Sequence, residues 1–112
     1  MQLFVRLLAN CESPEVAGEI SQRLAFVLAR FGGEQVSPPK SYWKLPHLYE
    51  FTYALCPASR EKLQAVLSCS RGGWDHSPGE VECSSVWNRA GDHVFLVPEV
   101  SWAEVQLHES VA

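Results

Sequence analysis

Hydrophobic and polar residues alternate near both ends of the chain, which is the pattern of a β-strand with one buried side. Residues 2–9 are so apolar overall that they predict a central strand. Residues 100–108 predict a final strand, with Ala103, Val105 and Leu107 on its buried face. Its other face is expected to be half exposed and carries Trp102, Glu104, Gln106 and His108.

A helical period replaces the alternation after the first strand. Ser13 can cap the first turn, and Pro14 suits the first helical position because the N–H that it lacks would have no partner there. Apolar residues then recur at steps of three or four from Val16 to Phe31. Gly32-Gly33 is a typical helix stop. These signals mark the beginning and the end of one amphipathic helix.

The middle of the chain combines turn-forming residues with aromatic stretches. Residues 34–41 predict a polar loop around Pro38-Pro39. Residues 42–45 and 48–55 are expected to be extended, because they are rich in aromatic and β-branched side chains. Pro46-His47 would then be a turn or a bulge between two paired strands.

The second half predicts a short helix followed by strands. Ser59 is the expected cap of this helix, whose buried stripe holds Leu63, Val66 and Leu67. Residues 70–79 are rich enough in Gly and Pro to predict an irregular loop. The remaining predicted elements are a strand at 81–88 and a short apolar segment at 94–97, which Pro98 interrupts.

The order of elements is strand, helix, strand or hairpin, helix, strand, strand. This order predicts an α+β fold of the ferredoxin-like, split β-α-β kind. Two helices are expected on one face of a largely antiparallel sheet, with the other face open. A length of 112 residues fits a single α+β domain over residues 1–112, with residues 108–112 expected to fray.

The charge and hydropathy of the chain argue against some partners. The formal net charge is −4 and the nine basic residues are scattered, so we expect no direct binding to nucleic acid. No stretch approaches the roughly 20 apolar residues of a membrane span, and no charged leader precedes the first apolar run. We therefore expect a cytoplasmic protein, whose acidity suits solubility or a basic partner.

The residue patterns of catalysis and cofactor binding are missing from the sequence. Four cysteines without CxxC spacing and four histidines without metal-ligand spacing predict no metal or cofactor, and the thiols are expected to be reduced and buried. Asp75-His76-Ser77 has the composition of a triad, but triads are assembled from distant segments. Gly32-Gly33 and Gly72-Gly73 each follow a helix, whereas phosphate loops precede one. We expect no catalytic residue and no enzymatic activity.

Aromatic and acidic residues are more informative. The aromatics that exceed what two helices can cover are Tyr42, Trp43, Trp74, Trp87 and Trp102. Aromatics beside acids on an open sheet suit a protein interface, although core edges and a solvated surface would account for them as well. The predicted partner-binding residues are Trp74, Asp75, Glu80, Glu82, Asp92, Trp102 and Glu104.

The layout resembles small bacterial immunity proteins of polymorphic toxin systems, including contact-dependent growth inhibition. The resemblance covers architecture and the character of residues 85–89, 95–98 and 102–107, and it carries over no functional residue. It implies a cytosolic inhibitor that occludes the active site of a cognate toxin domain, for example a basic nuclease. Two alternatives stay open: a small dimeric ferredoxin-like enzyme or ligand-binding domain with His47 or His108 in a pocket, and a homo-oligomeric regulatory module.

Overall fold

The computed structural model of the protein describes residues 1–70, 72–77, 82–89 and 93–108. Within these ranges the chain forms two α-helices and one six-stranded sheet. The elements are β1 (Gln2–Asn10), α1 (Pro14–Leu28), β2 (Gly33–Ser41), β3 (Leu48–Leu55), α2 (Arg60–Leu67), β4 (Trp74–Ser77), β5 (Glu82–Asn88) and β6 (Val100–His108), with a 3₁₀ turn at Ala29–Phe31.

The sheet has the strand order β2-β3-β1-β6-β5-β4, and each neighbouring pair is antiparallel. The α+β prediction is confirmed. The ferredoxin-like topology is not confirmed, because a β-α-β-β-α-β repeat builds a four-stranded sheet and neither this six-strand order nor the placement of the helices matches it.

The core lies on one side of the sheet. β1 occupies a central position between β3 and β6, and its Leu3, Val5 and Leu7 are at most 1% exposed. Leu24 of α1 and Leu63 of α2 belong to the same buried cluster as these strand residues. The strands therefore bury one of their two faces, as the alternation of their residues predicts.

Both helices begin at the predicted caps, and the first ends at the predicted glycine after one 3₁₀ turn, whereas α2 ends at Leu67, before Gly72. The hydroxyl of Ser13 accepts a hydrogen bond from the Val16 backbone N–H at 3.3 Å, and the hydroxyl of Ser59 accepts one from Lys62 at 3.0 Å. Each cap satisfies a donor that a first helical turn leaves without an intrahelical partner. Gly32 follows the 3₁₀ turn with a φ of 71°, a left-handed conformation that glycine adopts without strain.

The prediction of a loop at residues 34–41 was wrong, because these residues form most of β2. β2 is an edge strand that pairs with β3 on one side. Pro38-Pro39 falls in an irregularity of the register between Ser37 and Lys40, where the ladder is interrupted. Prolines are tolerated at such positions because no ladder hydrogen bond needs their N–H.

Two further elements differ from the sequence prediction. Residues 42–45, predicted as extended, form a turn that is closed by a hydrogen bond from the Leu45 N–H to the Tyr42 carbonyl. The predicted loop at 70–79 contains β4, which pairs with β5. β6 ends at His108, as the alternation of residues 100–108 predicts, and its backbone pairs with β1 and β5. The rest of the tail that was expected to fray, residues 109–112, lies outside the described residues. Val81 lies outside the described residues.

Candidate functional site

The sheet face opposite the core carries a row of mostly polar side chains. The antiparallel register places Thr52, Arg6, Glu104 and Val86 side by side across β3, β1, β6 and β5. Asp75 of β4 extends this row, since it pairs with Val86. We call this surface the open face, because both described helices pack against the other side of the sheet.

A charged cluster forms around Arg6 on the open face. Arg6 donates two hydrogen bonds to Glu50 Oε2, from Nε at 3.0 Å and from Nη2 at 2.8 Å, and Lys40 Nζ lies 3.6 Å from Glu50 Oε1. The guanidinium carbon of Arg6 lies 5.3 Å from the centre of the Trp102 ring, within cation–π range. We call Arg6, Lys40, Glu50, Trp102 and Glu104 the Arg6 cluster.

Electrostatics keep the guanidinium of Arg6 charged. Burial disfavours this charge, but the hydrogen bond and the negative charge of Glu50 outweigh burial, with further contributions from Glu104 and Tyr42. Together they raise the pKa of Arg6 above its usual value. Glu104 in turn accepts a hydrogen bond from the Ser84 hydroxyl at 3.3 Å. The Arg6 cluster is therefore a network of polar contacts around a charged guanidinium.

Aromatic rings lie beside the Arg6 cluster and further along the same face. Tyr42 and Trp43 have ring centres 6.3 Å apart, and Trp43 is 80% exposed. Along β1, Phe4 meets His108 edge to face at 6.1 Å. Aromatic rings that are partly exposed and in contact with neighbouring rings can bury large areas against a partner at a small cost in entropy.

Three of the predicted partner-binding residues share the open face. These residues are Trp102 and Glu104 of β6 and the exposed Asp75 of β4. The backbone of Glu82 pairs with His108. Glu80 and Asp92 lie outside the described residues, so their part of the prediction stays a prediction.

Trp74 does not join this surface. It pairs with Trp87 on the helix-covered face, and its indole N–H donates to the Leu67 carbonyl at 3.0 Å. Trp87 is 0% exposed, and its N–H donates to the Gly72 carbonyl at 2.8 Å and to the Ser70 hydroxyl at 3.1 Å. The expectation that the helices leave these indoles uncovered was therefore wrong for Trp87.

A cavity that the sequence did not predict lies between α2 and the paired strands β4 and β5. Its volume is about 410 Å³. We call it the α2–β5 cavity; its lining residues are Arg60, Leu63, Gln64, Leu67, His76, Cys83, Ser84 and Ser85. The histidine in this cavity is His76, whereas the ligand-binding alternative placed His47 or His108 in a pocket. The sequence analysis missed this cavity because it predicted a loop at residues 70–79, whereas His76 lies in a strand that places it near α2.

The described residues form neither a catalytic triad from Asp75-His76-Ser77 nor a metal site. Asp75 and His76 are consecutive in β4, so their side chains lie on opposite faces of the sheet. No group of three or more His, Cys, Asp or Glu side chains in the described ranges is placed to hold a metal ion. The four cysteines are free thiols, but the expectation that they are buried holds for Cys11 and is wrong for the exposed Cys56.

Comparison of the chain with family models, curated proteins and solved structures found no match. Neither helix in the described part of the chain is long and apolar enough to cross a membrane. Because the comparisons suggest no function, a function has to be inferred from features of the structure, such as the open face and the α2–β5 cavity.

Proposed function

We propose that the protein is an immunity-type inhibitor, which binds a cognate toxin domain through the open face and covers the active site of that domain. The observation that carries this proposal is the Arg6 cluster, in which Arg6 and Trp102 are held together at the centre of a face that the described helices leave uncovered. The acidic net charge of −4 and the resemblance to immunity proteins favour the same function.

Arg6 and Trp102 belong to the residue types that dominate binding energy at protein interfaces. Tryptophan and arginine are enriched among such residues, which tend to lie near the middle of the contact. Two hydrogen bonds from Arg6 to Glu50 already fix the guanidinium, and the guanidinium lies over the Trp102 ring. Because both side chains are ordered before binding, less conformational entropy is lost when a partner docks.

The charges of the open face suit a basic partner. Glu50 pairs with Arg6, whereas Asp75 is exposed and Glu104 is half-buried. A toxin domain that cleaves nucleic acid needs basic residues around its active site to bind phosphates. Asp75 and Glu104 would attract these residues, which speeds encounter and makes association dependent on salt.

A co-expression assay tests the proposal. The toxin domain would be the C-terminal region of a large protein encoded next to this chain, and its induction should arrest growth unless the chain is present. We expect the W102A/E104K variant to lose protection, since truncating one central residue at an interface costs about 2 kcal/mol or more. Purified wild-type chain should bind the toxin domain with an association rate that falls as salt increases.

The matched control carries the same kinds of substitution on α1. Glu19 is exposed, and Phe26 is 85% exposed. The F26A/E19K variant should therefore protect cells as well as the wild type does. Equal protection by both double variants would reject the open face as the interface, and failure of the wild-type chain to protect would reject the proposed function.

A further inference from the structure

The turn between β2 and β3 presents large apolar side chains to solvent. Residues 42–47 form this connection, and we call it the β2–β3 turn. Trp43 is 80% exposed and Leu45 is 46% exposed, while the half-buried Tyr42 lies beside Trp43. A single exposed apolar residue needs no explanation, but several within one short turn mark an interaction surface.

Backbone hydrogen bonds hold the β2–β3 turn in one conformation. The Tyr42 N–H donates to the Leu48 carbonyl at 2.8 Å, and the Leu48 N–H donates to the Leu45 carbonyl at 2.8 Å. The Leu45 N–H donates to the Tyr42 carbonyl, and Pro46 has no N–H to satisfy. Polar groups that are already paired can leave water at a lower cost. The turn can therefore enter a less polar medium with these groups paired.

The β2–β3 turn lies in a basic stretch of an acidic chain. None of residues 35–49 is acidic, and they include Lys40 and Lys44. The Lys40 side chain is 67% exposed, and Nζ of the exposed Lys44 lies 5.0 Å from the centre of the Trp43 ring. Tryptophan beside lysine is typical of membrane interfaces, where the ring lies at the level of the headgroups and the ammonium reaches anionic groups.

Two carboxylates near the turn affect its charge. Glu50 is already paired with Arg6. Glu12 is exposed and follows Cys11, whose N–H donates to the His47 carbonyl of the turn at 3.0 Å. Charges more than about 8 Å away are largely screened at physiological ionic strength. The net charge of −4 therefore acts only weakly on the turn, whereas Glu12 opposes the lysines there.

We propose that the β2–β3 turn binds the surface of an anionic lipid bilayer, with Trp43 and Leu45 among the headgroups and the two lysines against their negative charges. Binding of this peripheral kind needs no membrane-spanning segment. A second copy of the chain fits the turn less well, because a symmetric contact would bring its lysines against each other. A basic toxin domain would be repelled by the same lysines. The inference is therefore independent of toxin binding through the open face.

Flotation of the full chain with lipid vesicles tests this proposal. We expect binding to vesicles of equal parts phosphatidylserine and phosphatidylcholine. Binding to phosphatidylcholine alone should be about tenfold weaker, because each lysine near an anionic surface strengthens binding several-fold. Added salt should weaken binding to the mixed vesicles. Brominated lipids should quench the tryptophan fluorescence of the bound wild type, and W43F should still bind but lose this quenching.

Point variants with matched controls make the test specific. W43A should weaken binding to the mixed vesicles about tenfold, since the burial of an indole is lost. Its control is F26A, because Phe26 is 85% exposed on α1, and this variant should bind as the wild type does. K44E should also weaken binding to the mixed vesicles about tenfold but leave binding to phosphatidylcholine alone unchanged.

The control for K44E is R30E, which changes the net charge equally and should bind as the wild type does. Arg30 precedes the nine-residue β2, a strand that spans about 30 Å and has the turn at its other end. E12Q removes the opposing carboxylate and should strengthen binding to the mixed vesicles about threefold.

Several results would overturn the proposal. One is the absence of flotation of the wild type with the mixed vesicles, and another is equal binding to both kinds of vesicle. A third is equal binding by W43A and F26A, or by K44E and R30E. Self-association or oligonucleotide binding that W43A abolishes, in the absence of flotation, would instead assign the turn to a second copy or to nucleic acid. Urea unfolding of each variant separates a lost contact from a lost fold, and K44E serves in place of W43A if the latter is unfolded.

Discussion

Replacing Glu50 with glutamine removes a charge from the Arg6 cluster while keeping the shape of the side chain. Glu50 is 14% exposed and accepts two hydrogen bonds from Arg6. In E50Q the guanidinium stays partly buried beside Trp102, but its partner is now neutral. The variant therefore measures how much the pairing of these two charges contributes to stability.

The expected effect follows from the exposure of the two partners. Fully exposed ion pairs contribute about 0.2–1 kcal/mol, whereas breaking a buried pair costs about 3–5 kcal/mol. The Arg6 and Glu50 side chains are 37% and 14% exposed, which places them between these limits. We expect E50Q to lower the free energy of unfolding by about 1.5 kcal/mol, since the lost bonds are charge-assisted but partly solvated.

Urea unfolding followed by tryptophan fluorescence measures this loss as a shift of the midpoint at constant slope. K40M is the matched control, because Lys40 faces the same carboxylate from 3.6 Å but is 67% exposed. It should cost at most about 0.5 kcal/mol. A double-mutant cycle between R6M and E50Q isolates the pairing energy. Equal losses in E50Q and K40M would refute the reasoning, because they would show that burial does not strengthen the Arg6 pair.

Two other perturbations test the fold. G32A should lower the free energy of unfolding in urea by more than about 2 kcal/mol, because φ is +71° and a Cβ would lie 1.8 Å from the Cys56 carbonyl oxygen. G18A in α1 is the control, since its Cβ would meet no atom within 4 Å. This variant should raise the free energy of unfolding by about 0.5–1 kcal/mol. Equal stability of G32A and G18A would contradict the steric argument for glycine at position 32. Burial raises the pKa of Tyr53 above 10.0, against the lowering effect of its hydrogen bond with the Ser21 side chain. The stabilisation that comes from the buried phenol is therefore fully present below the pKa that Tyr53 has in the unfolded chain. It is lost as the pH rises through the pKa that Tyr53 has in the folded chain. Above about pH 10, the unfolding free energy of Y53F should therefore fall less steeply with pH than that of the wild type. Y42F is the control, and identical pH dependences of Y53F and wild type would contradict this.

The sequence predicted the elements whose burial is periodic. α1 was predicted because Ser13-Pro14 and a stripe ending near Phe31 agree with each other, and β6 because its alternation assigns Trp102 and Glu104 to one half-exposed face. β2 and β4 were missed for a physical reason. Edge strands are solvated on most sides, so their residues show little hydrophobic pattern, and prolines there look like loop signals.

The candidate site depends on long-range pairing that one sequence shows only indirectly. Arg6 and Glu50 are 44 residues apart, and the register of β1 with β3 brings them together. A signal was present, since each is the single charged residue of a mostly apolar or aromatic strand. Opposite charges isolated in two predicted strands suggest that the strands pair. For Trp87, in contrast to Trp102, the strand pattern did not determine whether the indole faces the helices, because that depends on which side of the strand the helices cover.

The two edges of the sheet limit how another chain can associate with this protein. Pro38 and Pro39 in β2 offer no N–H to an incoming peptide, and β4 has four residues in its described length. Growth of the sheet by strand addition would therefore gain few backbone hydrogen bonds at either end. Self-association into extended β-structures is correspondingly disfavoured, and recognition is left to side chains that stand above the strands.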